Sequence, residues 1–228
     1  MRISLLIMLF LILSCGKTKK SEVTEINSSN NISNLTKASA DEKKIIQFTK
    51  FKPDSSFLKI NRFSSNTAFQ INDNYILTGY YESIDGKISY PDKENDHGHR
   101  LLFVNSKKEI KYKSFGVCDV YLYQPNFYKN GFDDRIIIVC QLAYEYFFGG
   151  EAFLIEKNKI KYLGNIDIES NDMETNLVEI LKIRNENDKL IFSFDSDSLL
   201  LKPGSDDIIV KNNNIRYEYD GKSFRLIK

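Results

Sequence analysis

Short runs of Ile, Val, Leu, Phe and Tyr, cut by Asn, Asp, Gly and Lys, fill the chain from about residue 45 onward, and they constrain its fold more than any other feature. Runs of this kind are strands joined by tight turns. Helical periodicity is nearly absent. Turn pairs stand between runs at Asp85-Gly86, Asn130-Gly131 and Asp220-Gly221, where Asn-Gly or Asp-Gly supplies the positive φ that a two-residue hairpin turn requires. The expected fold is all-β, an antiparallel meander of hairpins closed as a sandwich, a barrel or a partial propeller-like domain. Sixteen Phe and thirteen Tyr supply apolar area for its core. At the start of this region Asp41 suits either the cap of a short helix running toward Phe48 or the approach to a first strand.

A degenerate unit recurs in the strand region. Leu101-Leu102-Phe103-Val104 leads through Asn105 to Ile110-Lys111-Tyr112, Phe153-Leu154-Ile155 through Asn158 to Ile160-Lys161-Tyr162, and Ile208-Ile209-Val210 through Asn212 to Ile215-Arg216-Tyr217. Each reads as strand, polar turn, strand, and the spacing is close to that of a propeller blade. Composition alone also generates such hairpins in an Asn- and Lys-rich chain. Gly131-Phe132-Asp133-Asp134-Arg135-Ile136 resembles the glycine-to-aspartate turn of integrin-type propeller repeats, but Lys129 stands among the positions of the preceding calcium ligands, so no metal site follows.

The N-terminus has a different character. Arg2 precedes residues 3–13, all apolar except Ser4, the charge-then-apolar layout of an export signal. At about a dozen residues the stretch is shorter than the roughly 20 a membrane-spanning helix needs. It ends Ile12-Leu13-Ser14-Cys15-Gly16, which resembles the lipobox of bacterial lipoproteins. The resemblance implies diacylglycerol on Cys15 and cleavage after Ser14, giving a signal peptide at 1–14. Two or three acyl chains, at about 0.8 kcal/mol per buried methylene, make a stable membrane anchor. Residues 16–44 hold twelve Ser, Thr and Asn and no aromatic residue, so they cannot repay the entropy of ordering. With Cys15 they form a lipidated tether at 15–44, of about 30 Å reach as a coil, ahead of a single all-β domain at 45–228. Gly16 after the cysteine is the pattern of many outer-membrane lipoproteins, and Lys17, Lys19 and Lys20 differ from acidic surface-export signals. The expected location is the periplasmic leaflet of the outer membrane.

With Cys15 lipidated, Cys118 and Cys140 remain, an even number in a compartment where disulfides persist. If residues 117–123 and 135–146 form one hairpin, Cys118 opposite Cys140 puts Val120 opposite Ile138 and Leu122 opposite Ile136, an apolar face throughout. Such a bridge adds about 3 kcal/mol. The alternative is two buried thiols acting as small apolar side chains.

Motifs that carry chemistry are few. Lys and Arg number 32 against 31 Asp and Glu, so no net field draws the chain to nucleic acid. The two histidines, His97 and His99, share a loop with Asp92, Glu94 and Asp96, residue types able to seat zinc or copper. A polar, Gly-bearing loop accounts for them equally, and no metal or other cofactor is assigned. No Gly-x-Ser-x-Gly elbow, phosphate-binding Gly loop, Cys-x-x-Cys or His-Glu-x-x-His is present. Asp195-Ser196-Asp197-Ser198 lacks the Gly and distal Glu of a calcium loop. Carboxylate pairs such as Asp133-Asp134 and Asp206-Asp207 would serve hydrolysis only if folding set two carboxyls across a cleft. Two aromatic clusters stand out: Tyr121, Tyr123, Phe127 and Tyr128 around Pro125, and Tyr144, Tyr146, Phe147 and Phe148 before Gly149-Gly150. Strand tyrosines mostly fill cores, whereas an exposed tyrosine face suits a protein or glycan partner. The expectation is a membrane-anchored envelope module that binds or supports a partner, with an envelope hydrolase using acidic residues in a cleft as the alternative.

Overall fold

Alternating apolar runs and polar turns produce an all-β body in which one helical turn interrupts the strands. The computed structural model describes residues 45–65, 67–172 and 174–228. The expected signal peptide at 1–14, Cys15 and the expected tether at 15–44 lie outside the described residues. In chain order the first strands are β1 (Ile45–Phe51), β2 (Ser55–Ser56), β3 (Phe63–Ser64), β4 (Ala68–Ile71), β5 (Asn74–Tyr81), β6 (Arg100–Asn105), β7 (Ile110–Lys113), β8 (Leu122–Lys129) and β9 (Ile136–Ala143). Then come β10 (Phe147–Glu156), β11 (Lys159–Ile166), β12 (Ile168–Ser170), α1 (Leu177–Ile180), β13 (Leu181–Glu186) and β14 (Lys189–Phe194). The last are β15 (Ser198–Leu201), β16 (Ile208–Lys211), β17 (Arg216–Tyr219) and β18 (Phe224–Ile227). Residues 45–48, the described part of the stretch that suited either a helix or a strand, are strand, and Asp41 itself lies outside the described residues. Among the described residues no helix is long and apolar enough to cross a membrane.

Nine strands form one antiparallel sheet in the order β11-β10-β9-β8-β1-β13-β14-β17-β18. β1 joins its two halves: Ile45 to Phe48 pair with β13, and Thr49 to Phe51 pair with β8. The ends of this sheet curl toward each other. Lys161 of β11 donates to the Tyr219 hydroxyl at 2.7 Å and to the Gly221 carbonyl at 3.2 Å, and the Phe224 ring lies over Gly164. The result is a nearly closed barrel whose interior is filled from all nine strands, with Phe48, Val139, Leu154, Ile183, Phe192 and Tyr217 among its buried members.

A second sheet, β2-β4-β5-β6-β7 with β3 paired to β5, packs on the outside of β8, β9 and β10. Ile76, Leu101 and Phe103 from it meet Phe127, Ile138 and Phe153 from the barrel. A three-stranded sheet, β12-β15-β16, sends Ile168, Leu199 and Leu201 into the barrel core. Barrel and sandwich layer therefore occur together. The apolar run of β9 is continuous for this reason: Ile137 and Val139 face the barrel core while Ile138 and Cys140 face the sandwich layer, and strands buried on both faces do not alternate.

Turn chemistry departs from the sequence reading at several points. Lys157-Asn158 and Asn187-Asp188 make the two-residue turns of the β10–β11 and β13–β14 hairpins, with φ of 51° and 57° and of 52° and 61°. Asp85-Gly86 adopts the expected left-handed pair, φ 51° and 71°, between Ile84 and Lys87. Asn130-Gly131 does not close a two-residue turn. It opens the longer loop 130–135, where Asn130 Oδ1 accepts from the Phe132 and Asp133 N–H groups at 2.8 and 3.0 Å. Asp220-Gly221 lies in a four-residue connection between Tyr219 and Phe224. Of the three recurring units, the first two are hairpins. The third is split, because β16 pairs with β15 in the small sheet and β17 with β14 in the barrel.

The expected Cys118–Cys140 register is also overturned. β8 begins only at Leu122, and Cys140 stands opposite Pro125. Cys118 is exposed and Cys140 buried, and both are free thiols. Proline is tolerated at this point because β1 pairs only with Phe127, Tyr128 and Lys129 of β8, leaving the other side of Pro125 without a ladder.

Candidate ligand-binding site

Three exposed tyrosines, Tyr121, Tyr144 and Tyr146, lie at one end of β8, β9 and β10. Tyr121 N–H donates to the Ala143 carbonyl at 3.1 Å and Tyr144 N–H to the Tyr146 carbonyl at 3.0 Å. These bonds fix the backbone at Tyr121, Tyr144 and Tyr146, which are 67%, 51% and 50% exposed. Between Phe147 and Gly150 the β9–β10 register shifts, a bulge in which Gly149 takes φ +85°. The bulge frees Gly149 N–H from the ladder, and it donates instead to Oε1 of Glu169 on β12 at 2.6 Å.

Glu169 organises this end of the molecule. Gln141, the one side chain amide inside the apolar run of β9, donates to Glu169 Oε1 at 2.7 Å and to the Gly149 carbonyl at 2.9 Å. Its own Oε1 accepts from Val178 N–H of α1 at 3.3 Å. Burial pushes the Glu169 carboxyl up to about 7, although the N–H groups of Gly149, Gln141 and Leu177 pull in the opposite direction. Its second oxygen, Oε2, is sealed from solvent and has no partner in hydrogen-bond geometry.

Over this floor lies a cavity of about 350 Å³. Tyr121, Tyr146 and Phe147 line it with Glu145 and Asp207, and Glu169 borders it with its carboxyl turned to buried partners. No lysine or arginine is among the described residues that line it. Such a lining offers flat apolar faces next to hydrogen-bond acceptors. The other aromatic residues singled out from sequence divide differently, since Tyr123, Phe127 and Tyr128 are buried. Tyr123 donates to buried Glu151 within the sandwich layer, and burial raises both groups.

The histidine loop is a separate and tightly built feature. Arg100, with its side chain 0% exposed, meets Asp92 at 2.8 Å and Asp96 at 3.1 Å and donates to the Ser114 carbonyl at 3.1 Å. Asp96 also accepts from Lys113 at 3.1 Å and from Gly116 N–H at 2.9 Å. Burial opposes the charge on Asp96, but the Gly116 N–H, Lys113 and Arg100 together hold its carboxyl below the usual range. His99 exchanges backbone hydrogen bonds with Val117 at 2.9 and 2.7 Å, its ring meets Tyr80 edge-on at 5.1 Å, and burial lowers its pKa. His97 is brought not to His99 but to Cys118, with Nε2 3.4 Å from Sγ. Among the described residues no group of three His, Cys, Asp or Glu side chains stands together as metal ligands.

No known protein family matches this chain, and neither does any curated protein or solved structure. Fold and site define it as a barrel-based all-β body with an aromatic, acidic pocket at one end. Sequence reasoning found Tyr121, Tyr146 and Phe147 but missed Glu169, Gln141 and Arg100. Gln141 had a signal, a lone polar residue within an unbroken apolar strand.

Proposed function

We propose that this chain is a lipid-anchored binding protein of the bacterial envelope that holds a glycan in the pocket of Tyr121, Tyr146 and Phe147. The observation that carries the reading is the composition of that pocket. Sugar rings present C–H faces that stack on aromatic side chains and hydroxyls that donate to carboxylates, and both partners line one cavity. The volume falls within the usual range for small-ligand sites, roughly 300–1,000 Å³. In this reading Glu145 and Asp207 accept from the ligand, while Glu169 fixes the floor by holding Gln141 and Gly149, and Gln141 in turn holds the start of α1. The lipobox-like Ile12-Leu13-Ser14-Cys15 supports a diacylglyceryl anchor on Cys15. The Ser-, Thr- and Asn-rich residues 16–44 then hold the body off the outer membrane's periplasmic face.

A hydrolase would use Glu169 as its acid. Oε2 has no solvent access and Oε1 is occupied by two donors, so binding is favoured over hydrolysis. Titration calorimetry of the full chain with soluble oligosaccharides released from the envelope tests the reading. Saturable heat that disappears in Tyr146→Ala and Asp207→Asn is expected, and the absence of saturable heat in the native chain would refute it.

A further inference from the structure

Outside that pocket the structure assembles a second arrangement. Cys118 Sγ lies 3.4 Å from His97 Nε2 and 3.4 Å from the His97 carbonyl oxygen, and the thiol is exposed. We propose that Cys118 is a nucleophilic thiol, with His97 as its proton acceptor, that captures small cationic disulfides as a mixed disulfide.

The pair is fixed by backbone, not by chance contact of mobile side chains. A Cβ on Gly98 would lie 2.3 Å from the Val117 carbonyl oxygen, and one on Gly116 would lie 2.1 Å from the His97 carbonyl oxygen. Only glycines let the two loops approach this closely. The paired His99 and Val117 backbones clamp the loops at one point, and Asp96 clamps them again through Gly116 N–H and Arg100. Directly after the thiol, Asp119 is held at φ +59°, a strained conformation for a residue other than glycine. On the imidazole, Nε2 is the nitrogen that meets the thiol; as acceptor it leaves the ring proton on Nδ1, which is buried without a partner.

Both residues open onto a cavity of about 370 Å³. Glu82 and Asp119 line it together with Tyr80 and Ile88, Asp92 beside them is neutralised by Arg100, and among its described lining residues there is no lysine or arginine. Such a wall favours a cationic over an anionic partner. In the exchange, His97 Nε2 takes the Cys118 proton and the thiolate attacks one sulfur of the disulfide. A new S–S bond forms and the old one breaks, with its electron pair leaving on the second sulfur. That sulfur takes the proton from the imidazolium and departs as a thiol, so no external oxidant or reductant is needed. Cys140 is buried in the sandwich layer and cannot resolve the adduct, which therefore persists.

The test uses the full chain with cystamine as the cationic probe and glutathione disulfide as the anionic one. Peptide mass spectrometry scores Cys15, Cys118 and Cys140 separately. The expected result is one adduct on native Cys118, formed about tenfold faster than on the same thiol in the urea-unfolded chain, faster with cystamine than with glutathione disulfide, with Cys140 untouched. His97→Gln should remove that advantage, and free imidazole added to the buffer should restore part of it. A native Cys118 no faster than its unfolded counterpart overturns the proposal, whatever the variant does. So does a His97→Gln rate equal to wild type with Cys140 still protected, and a preference for glutathione disulfide overturns the assigned ligand charge.

Discussion

Replacing Glu169 by Gln should change how stability depends on pH. In the folded chain this carboxyl is pushed up to about 7 from an ordinary value of 4.5. Between those two values the folded state binds more protons than the unfolded state. Stability is therefore fully present below 4.5 and is lost as pH rises through 7. At about 1.4 kcal/mol per pH decade, ionising Glu169 costs the native fold about 3 kcal/mol. The side chain is only 3% exposed, so little of this is screened by solvent. Gln keeps an oxygen for the Gly149 N–H and Gln141 donors but carries no titrating group. Urea unfolding of both proteins at pH 4.5, 6 and 8 reads the effect as a difference of free energies, in which the other titrating groups cancel. Relative to wild type, Glu169→Gln should gain about 3 kcal/mol between the lowest and highest pH. A difference that stays constant across that range would show that Glu169 titrates normally and would refute the assignment of a buried, desolvated carboxyl.

Arg100→Met should destabilise the fold by about 3–5 kcal/mol in urea unfolding, because it leaves buried Asp92 without its cation and Asp96 with Lys113 alone. Phe153→Ala should cost about 3–5 kcal/mol in the same assay, since its ring is fully buried against Tyr162 and Tyr112 at the join of barrel and sandwich layer.

The strands and their all-β class were legible because apolar runs and turn residues are local signals. The pairing of β8 with β9 was not. Both faces of β9 are buried, so every register offers an apolar face, and the usual penalty for a one-residue slip is missing. The true partner of Cys140, Pro125, lies seven residues beyond Cys118, and a proline inside a strand reads as a break unless its second neighbour is known to be absent. Asn187-Asp188 and Lys157-Asn158 carry left-handed turns without glycine, which weakens the same signal that marked Asp85-Gly86. In the candidate pocket the tyrosines announced themselves by density. Glu169 did not, because its role depends on a bulge at Gly149 and on the amide of Gln141, contacts spanning 20 and 28 residues of sequence. The meeting of His97 with Cys118 likewise depends on two glycines whose need is visible only when the loops are seen together.

The proposed compartment requires the β body to be held at a membrane through Cys15. Metabolic labelling with a palmitate analogue, followed by fractionation, tests that requirement directly. The wild-type chain should carry the label at position 15 and sediment with membranes, and Cys15→Ala should lose both. An unlabelled wild-type chain, or a Cys15→Ala chain that stays equally membrane-bound, would contradict it.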